Sequence, residues 1–281
     1  MTSEPEARDR SGTLVSFHAH PDDEALTTGG TIARAAAEGR RVVIVFATNG
    51  EYGETPADLA PGESLVERRR QEAAASADAL GAERIVWLGY SDSGMTGWEQ
   101  NQHAEAFSRA DVEEAAGRLA AVLAEEEADA ITVYDWHGNY GHPDHIRVHT
   151  VGHRAAELAG TPRVYEATLN RDEIVRFMRE AQARGERPAP GTEPNDELDP
   201  EGPQDDGNPI GMPEAEITLA VDVLPYMAQK RASFAAHRSQ ENDTSFFLDM
   251  TDEVFARAFG TEWFIQKGVE ANGPAAGWLF P

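Results

Sequence analysis

Short apolar runs alternate with longer amphipathic segments along the first 170 residues or so of this chain. The apolar runs are rich in β-branched residues, which is typical of strands buried on both faces. The segments between them repeat Ala, Leu and Val at the three- and four-residue spacing of a helix. The predicted strands are 14–17, 41–47, 84–88, 130–134 and 163–167. The predicted helices are 24–38, 65–80, 112–127 and 145–158.

The order of these elements predicts the fold class. A strand followed by a helix and another strand implies parallel strands joined by crossovers, and the unit recurs along the chain. Such repetition is typical of an open, doubly wound, mostly parallel α/β sheet flanked by helices, with the active site outside the carboxyl ends of the strands. We find no internal repeat and no interdomain linker, so residues 1–281 are predicted to form one domain.

Composition narrows the functional classes. The formal net charge of −26, from 50 acidic and 24 basic residues, repels phosphate backbones and anionic membranes. We therefore expect a small-molecule substrate and neither a nucleic-acid nor a membrane partner, while the oligomeric state stays unknown. Residues 1–12 form a polar tail, and no signal peptide or membrane span is evident, which favours a cytoplasmic location. Without cysteine, disulfides and a thiol nucleophile are excluded.

Residues 185–215 are dominated by Pro, Gly, Asp and Glu and contain almost no large apolar residues. This composition predicts a long acidic loop, because it offers little apolar surface to bury. Long loops in compact domains are either disordered or lie over a functional site. We favour the second interpretation.

Candidate chemistry begins directly after the first predicted strand, in the run HAHPDDE at 18–24. Imidazole nitrogen and carboxylate oxygen are the natural ligands of Zn²⁺ where no thiolate is present. His20 and Asp23 converge if the backbone takes a helical turn, which leaves Asp22 free to take a proton from water. Helix capping explains one of these acids but not the whole run. His18, at the strand end, is predicted to orient its neighbours.

A second run, HPDH, follows the fourth predicted strand. One of His142 and His145 can bind a metal while the other stands near a reacting carbonyl. Asp144 can hydrogen-bond one of these histidines and fix its tautomer. Tyr140, in a Gly-rich loop, can donate its hydroxyl to a developing oxyanion. An ordinary exposed loop aromatic is the alternative for Tyr140.

His149 and His153 follow His145 at successive intervals of four residues, the spacing of one helix face. Helical histidines four apart can share a zinc, so His149 competes as a ligand. A buried, hydrogen-bonded role is favoured for His149 and a solvated one for His153. The two runs together predict a zinc hydrolase, in which three protein ligands leave one metal position to water. Fe²⁺ suits the same N/O site.

The runs AHPDDE at 19–24 and HPDH at 142–145 resemble the two motifs of the PIG-L/LmbE family of zinc-dependent de-N-acetylases. The resemblance extends from about Leu14 to Phe264. It implies a Rossmann-like α/β fold and hydrolysis of an N-acyl group from an amino sugar, usually an N-acetylglucosamine unit. A non-catalytic carbohydrate- or metal-binding module is the alternative from another class, but Asp22 would have no use in it.

The resemblance also assigns roles. It implies that three residues bind the Zn²⁺, or Fe²⁺, namely His20, Asp23 and His145. It makes Asp22 the general base and His142 the electrostatic stabiliser or acid, oriented by Asp144. Tyr140 lies where actinobacterial members place an oxyanion-stabilising tyrosine, and His149 is not a ligand.

Further stretches resemble the mycothiol branch of that family, which contains both deacetylases and conjugate amidases. The stretches are 67–72 (ERRRQE), 92–95 (DSGM), 216–218 (EIT), 230–231 (KR) and 236–240 (AHRSQ). In that branch an arginine of the first stretch and the aspartate of the second contact sugar hydroxyls. The resemblance therefore implies that Arg68 and Asp92 contact the sugar here, and the run of three arginines leaves the position of the arginine open by one residue. The acidic loop matches no pattern, so amidase activity on S-conjugates or action on a glycosylated antibiotic intermediate stays open.

Overall fold

The computed structural model describes residues 12–184, 199–240 and 247–281. Within these residues eight strands form one sheet. They are β1 (Thr13–His18), β2 (Arg41–Phe46), β3 (Arg84–Trp87), β4 (Ala130–Tyr134), β5 (Arg163–Thr168), β6 (Leu219–Asp222), β7 (Thr261–Gln266) and β8 (Ala275–Gly277). The strand order is β3-β2-β1-β4-β5-β7-β6-β8. The first five strands pair in parallel, whereas β7 runs antiparallel to both β5 and β6.

Helices lie on both faces of this sheet. They are α1 (Asp23–Thr27), α2 (Gly29–Ala37), α3 (Leu65–Leu80), α4 (Val112–Glu125), α5 (Gly138–Gly141), α6 (Pro143–Ala159), α7 (Arg171–Ala183), α8 (Met227–Ala236) and α9 (Asp252–Phe259). None of the helices in the described ranges is long and apolar enough to cross a membrane.

The mostly parallel α/β sheet predicted from the sequence is confirmed, and all five predicted strands are present. The strands β6 to β8 were not predicted. Each of β6 (LAVD), β7 (TEWFIQ) and β8 (AAG) has too few β-branched residues to form a run of the kind that identified the others. The single-domain assignment stays a prediction, and the polar tail lies outside the described residues except for Gly12.

The predicted helix 24–38 is broken at Thr28, and one local and one long-range contact account for the break. The Thr28 hydroxyl donates to the Glu24 carbonyl oxygen at 3.1 Å, which ends the first helix. The next helix then begins with the backbone N–H groups of Gly30 and Thr31 donating to the carboxylate of Glu262, at 2.8 and 2.7 Å. Because first-turn N–H groups lack partners within their helix, this carboxylate from β7 stabilises the new start.

Alternation along the strands divides the core between the two faces of the sheet. Val15 and Phe17 point to the face covered by α4 and α6, whereas Leu14 points to the face covered by α2 and α3. Successive side chains of a strand leave on opposite sides, so a parallel strand with apolar residues at every position buries both of its faces. The loops at the strand ends are therefore held on a rigid support.

A buried ion pair joins α8 to β7. Lys230 and Glu262 pair with side chains 1% and 2% exposed, and the Lys230 ammonium also donates to the Leu26 carbonyl oxygen at 2.7 Å. Replacing Glu262 with Ala leaves a buried ammonium without its counter-charge and removes the cap of α2. We expect this substitution to lower the free energy of unfolding by about 3–5 kcal/mol, measured by urea denaturation.

The matched control is Glu113→Ala, which removes an ion pair to Arg154 whose side chains are 64% and 38% exposed. That variant should unfold at the wild-type urea concentration, because exposed pairs contribute little. An equal loss of unfolding free energy in Glu262→Ala and Glu113→Ala would contradict the role given to the buried pair.

Candidate active site and metal centre

A cavity of about 340 Å³ opens outside the carboxyl ends of β1 and β4. These neighbouring strands mark the point where the strand order reverses, and doubly wound sheets bind their ligands at such a point. The described residues that line the cavity are His20, Asp22, Asp23, Tyr52, Gly53, Glu54, Arg69, Asp92, Gly94, Met95, Trp98, Tyr140, His142 and Gln240. Both sequence runs therefore contribute to one site.

The backbone at Asp22 separates two adjacent carboxylates. Asp22 has a φ of 111°, in a region that residues other than glycine rarely adopt. Its backbone N–H donates to Glu24 Oε2 at 2.9 Å, which holds the residue in this conformation. Such conformations cost of order 1–3 kcal/mol and persist where surrounding contacts enforce them.

The carboxylate of Asp23 lies between two imidazole rings. Its Oδ2 is 3.5 Å from His20 Nδ1, and its Oδ1 is 3.3 Å from His145 Nε2. The other nitrogen of His20 faces the carboxylate of Asp144 at 3.2 Å. The three residues predicted as metal ligands thus lie close together, His20 and Asp23 in the segment after β1 and His145 in the first turn of α6, after β4.

His145 provides a direct test of whether these residues suit a metal. Its Nδ1 is 3.3 Å from the Gly138 carbonyl oxygen, which can only accept, so Nδ1 carries a proton. The buried Nε2 makes no hydrogen bond within the part of the chain that the structure describes, yet it faces Asp23. A positive charge is needed between this ring and the carboxylate, and either a second ring proton or a metal ion bound to Nε2 supplies it.

Other donors lie within reach of the same point. One ligand atom from each of His20, His142 and His145 falls within 4.8 Å of the others, and the same is true of His20, Asp92 and Asp144. The candidate metal centre is therefore richer in donors than the three residues expected from the sequence.

His149 and His153 belong to a separate cluster. His149 Nδ1 donates to the Tyr134 carbonyl oxygen at 3.0 Å, which agrees with the hydrogen-bonded role expected for it. His153 was expected to be a solvated helix residue, but its Nε2 lies 2.8 Å from Glu166 Oε1 and its side chain is only 17% exposed. That expectation is wrong, because β5 places Glu166 beneath this face of α6. His18 is buried against Ser16 and the Tyr134 hydroxyl, as an orienting residue would be.

The carboxylate of Asp144 does not orient His142, which corrects the expectation from the sequence. It contacts His20 and accepts two hydrogen bonds from Ser93, one from the backbone N–H at 2.8 Å and one from the hydroxyl. Only the backbone N–H of Asp144 contacts His142, donating to its Nδ1 at 3.1 Å. Asp144 therefore positions a predicted metal ligand through its side chain.

This contact also sets the tautomer of His142. Because Nδ1 accepts a hydrogen bond, the proton of a neutral ring resides on Nε2. Burial, together with the nearby rings of His20 and His145, holds the pKa of His142 well below its usual range. His142 is therefore a neutral ring that can donate a hydrogen bond through Nε2.

Tyr140 lies in the single turn α5, in which Gly138, Asn139 and Gly141 have positive φ, as suits the Gly-rich loop expected there, and it lines the cavity. Its ring is 4.9 Å from that of His145. The described part of the acidic loop packs against this turn: the backbone N–H of Asp205 donates to the Tyr140 carbonyl oxygen at 3.2 Å. Gly141 has a φ of +92°, and a Cβ there would lie 2.5 Å from the backbone nitrogen of Asp206.

The acidic loop predicted at 185–215 thus touches the candidate site where it can be described. Residues 185–198 lie outside the described part of the chain.

Arg69, and not Arg68, reaches the cavity. Arg69 is buried and donates to Asp22 Oδ2 at 2.9 Å and to the Gly50 carbonyl oxygen at 2.7 Å. Arg68 is not among the described residues that line the cavity, because Glu63 and Asp58 hold its guanidinium on the outer side of α3. The geometry thus favours Arg69 for the role that the sequence assigned to Arg68, a shift of one position.

The carboxylates of Asp22 and Asp92 differ in their electrostatic environments. Burial raises the pKa of Asp22 to about 6, although the Arg69 guanidinium opposes the shift. Burial also opposes ionisation of Asp92, but His20 and the Gly94 backbone N–H hold the pKa of Asp92 below its usual range. Asp92 lines the cavity at the position where a sugar contact was predicted, and it lies 3.5 Å from His20 Nε2.

Sequence reasoning missed the residues that support the first run. Glu24 Oε1 accepts hydrogen bonds from the Ser76 hydroxyl at 2.5 Å and from His237 Nε2 at 2.6 Å. Both Glu24 and His237 are fully buried. Glu24 lies in the run 18–24 and His237 in the stretch 236–240, both of which the sequence analysis identified. The spacing of residues within each stretch gives no sign that these two side chains, more than 200 positions apart, are in contact.

The fold and the site define a hydrolase class, in which imidazoles and carboxylates converge at the carboxyl ends of a parallel sheet. Comparison with known proteins gives the family. Residues 15–156 match the sequence profile of PIG-L, described as GlcNAc-PI de-N-acetylase. The chain belongs to this family, so the predicted family and deacetylase class are confirmed.

Relatives along nearly the whole chain agree with this assignment. The 1D-myo-inositol 2-acetamido-2-deoxy-alpha-D-glucopyranoside deacetylase of Saccharomonospora viridis is 37% identical, over 94% of this chain and 97% of its own. The protein of the same name from Streptomyces avermitilis is also 37% identical, over 95% and 96%.

Solved structures share the fold at lower identity. The N,N'-diacetylchitobiose deacetylase from Pyrococcus horikoshii superposes with a TM-score of 0.55 at 22% identity, covering 91% of this chain and 83% of its own. The zinc-inhibited form of a teicoplanin deacetylase gives a TM-score of 0.56 at 17% identity, over 92% and 100%.

The two neighbouring arginines allow a direct test of the geometry. We expect Arg69→Ala to lower kcat/KM for deacetylation at least about 100-fold, because it releases the Asp22 carboxylate and the carbonyl oxygens of Pro21 and Gly50 from their fixed positions. Arg68→Ala removes an arginine of the same helix that contacts only the outer surface, and its kcat/KM should match the wild-type value. Equal losses in steady-state assays of the two variants, or a loss confined to Arg68→Ala, would contradict this placement.

Proposed function

We propose that this chain hydrolyses the acetamide of 1D-myo-inositol 2-acetamido-2-deoxy-alpha-D-glucopyranoside, releasing acetate and leaving a free amine on the sugar. The substrate is suggested by the names of relatives that match the chain over nearly its whole length. The chemistry is supported chiefly by one observation: two adjacent carboxylates are directed to different partners, Asp23 to two imidazoles and Asp22 to Arg69. A module that only bound sugar or metal would have no use for this separation.

We infer that His20, Asp23 and His145 hold a Zn²⁺ or Fe²⁺ ion. The support is the unpartnered Nε2 of His145 and the position of Asp23 between the two rings. When bound there, the metal supplies Lewis-acid chemistry, acidifying water and polarising a carbonyl. Asp144 and the Gly138 carbonyl oxygen fix the orientations of the two histidines.

Asp22 acts as the general base in this proposal. Its carboxylate lines the cavity beside the donor cluster, and Arg69 fixes one of its oxygens. It accepts a proton from the water that adds to the amide carbon, and the C–N bond then breaks as the amine nitrogen takes a proton. The strained backbone at Asp22 keeps this carboxylate apart from that of Asp23.

Negative charge developing on the amide oxygen needs donors from the protein. The neutral ring of His142 carries its proton on Nε2, and the hydroxyl of Tyr140 lies on the same cavity wall. Both can donate to the oxyanion, and removing one such donor typically lowers kcat by about 10²–10³-fold.

The proposal is tested by incubating the metal-loaded protein with the inositol glucosaminide and measuring acetate and free amine. Wild-type protein should release both in equal amounts. Asp22→Asn should lower kcat by about 10²–10⁴-fold, because the side chain keeps its size but loses the base. The control is Asp58→Asn, which changes an exposed carboxylate outside the cavity and should leave kcat at the wild-type value.

A mycothiol S-conjugate is assayed in parallel. Cleavage of that conjugate without deacetylation of the inositol glucosaminide would contradict the proposed substrate. Full activity of Asp22→Asn would contradict the proposed base.

A further inference from the structure

A tryptophan at the mouth of the cavity has no role in the chemistry described above. Trp98 lines the cavity, and 46% of its surface is exposed. An indole ring is a large, rigid apolar surface, and at the entrance of a cavity it can contact a ligand ring. The position of Trp98 at the entrance suggests that such a ligand extends out of the site.

The ring is held in place and not loosely exposed. It lies against Gly94, where an added Cβ would be 2.7 Å from Trp98 Cε3. The Trp98 backbone N–H donates to the Met95 carbonyl oxygen at 3.1 Å, and the Asn101 side chain donates to the carbonyl oxygens of Ser93 and Met95, at 2.6 and 3.2 Å. The loop therefore presents one face of the indole at a fixed position.

The same loop is tied to the candidate active site. Ser93 donates two hydrogen bonds to Asp144, whose carboxylate contacts His20, and Asp92 lies 3.5 Å from His20. The indole thus stands at a set distance from the reacting centre. A ligand group that stacks on Trp98 is positioned relative to the amide that reacts.

The electrostatics of the cavity limit what this group can be. Asp22, Asp23, Asp92 and Glu54 all line the cavity, and the one arginine among the described lining residues, Arg69, is paired with Asp22. An anionic group would be repelled at such a mouth. A neutral, polyhydroxylated six-membered ring presents C–H groups on its faces, which suit contact with the electron-rich face of an indole. Its hydroxyls remain at the ring edge, open to water.

We propose that Trp98 forms a second subsite, which stacks on a neutral polyhydroxylated six-membered ring linked to the reacting amino sugar. This inference rests on the proposed function, because it places the N-acetylated sugar at the deep end of the cavity. The subsite makes the enzyme selective for a two-ring substrate over a single N-acetylated sugar.

The experiment measures kcat/KM for two substrates, N-acetylglucosamine and the inositol glucosaminide, in Trp98→Ala, Trp98→Phe and wild-type protein. We expect the ratio of the two-ring to the one-ring value to fall about tenfold in Trp98→Ala. Trp98→Phe retains an aromatic face and should keep most of the ratio. The matched control is Trp136→Ala, since Trp136 is 50% exposed but is not among the described residues lining the cavity, and the ratio should match the wild type.

Each other outcome overturns the subsite. Equal losses of kcat/KM on both substrates in Trp98→Ala would show that the ring only supports the loop. The same equal losses in a folded Trp98→Phe would strengthen that conclusion. An unchanged ratio in Trp98→Ala would show that nothing stacks there. If wild-type protein deacetylates neither substrate, the proposed function itself fails and the subsite falls with it.

Discussion

The carboxylate of Glu24 is the interaction on which the rest of the site depends. Fully buried, it accepts hydrogen bonds from the Asp22 backbone N–H, the Ser76 hydroxyl and the His237 ring. Burial opposes ionisation of Glu24, but His237 lowers the pKa of this carboxyl to about 2. A charged acceptor in that position holds the unusual backbone conformation of Asp22. Without this constraint, Asp22 would be free to relax to an ordinary backbone conformation and its carboxylate would leave Arg69.

The consequence is that neighbouring, chemically identical residues acquire different roles. Asp23 faces two imidazole nitrogens and is surrounded by donors suited to a metal, whereas Asp22 faces a guanidinium at the wall of the cavity. In the proposed function, environment, and not residue type, distinguishes the base from the metal ligand. The support for this arrangement comes from distant parts of the chain, since Ser76 lies on α3 and His237 follows α8. Helix packing on one face of the sheet thus maintains the geometry of a loop at its edge.

Much of this architecture was predictable because it is encoded locally. The five parallel strands show as β-branched runs, and the two motifs follow β1 and β4 in a topology that brings strand ends together. Long-range contacts were not predictable. Spacing cannot distinguish Arg68 from Arg69, since the choice depends on which side of α3 faces the cavity. The family resemblance implied that Asp144 orients His142, whereas the fold directs that carboxylate to His20 and Ser93. The break at Thr28 depends on Glu262, a residue more than 230 positions away.

We propose that the segments that follow β1 and β4 build one metal centre from His20, Asp23 and His145, from which Asp22 is excluded. Equilibrium dialysis of each purified variant against Zn²⁺, followed by elemental analysis, measures this directly. Wild-type protein and Asp22→Asn should each retain one tightly bound ion per chain, whereas Asp23→Asn and His145→Ala should lose it. Full retention by His145→Ala, or loss of the ion from Asp22→Asn, would contradict the account.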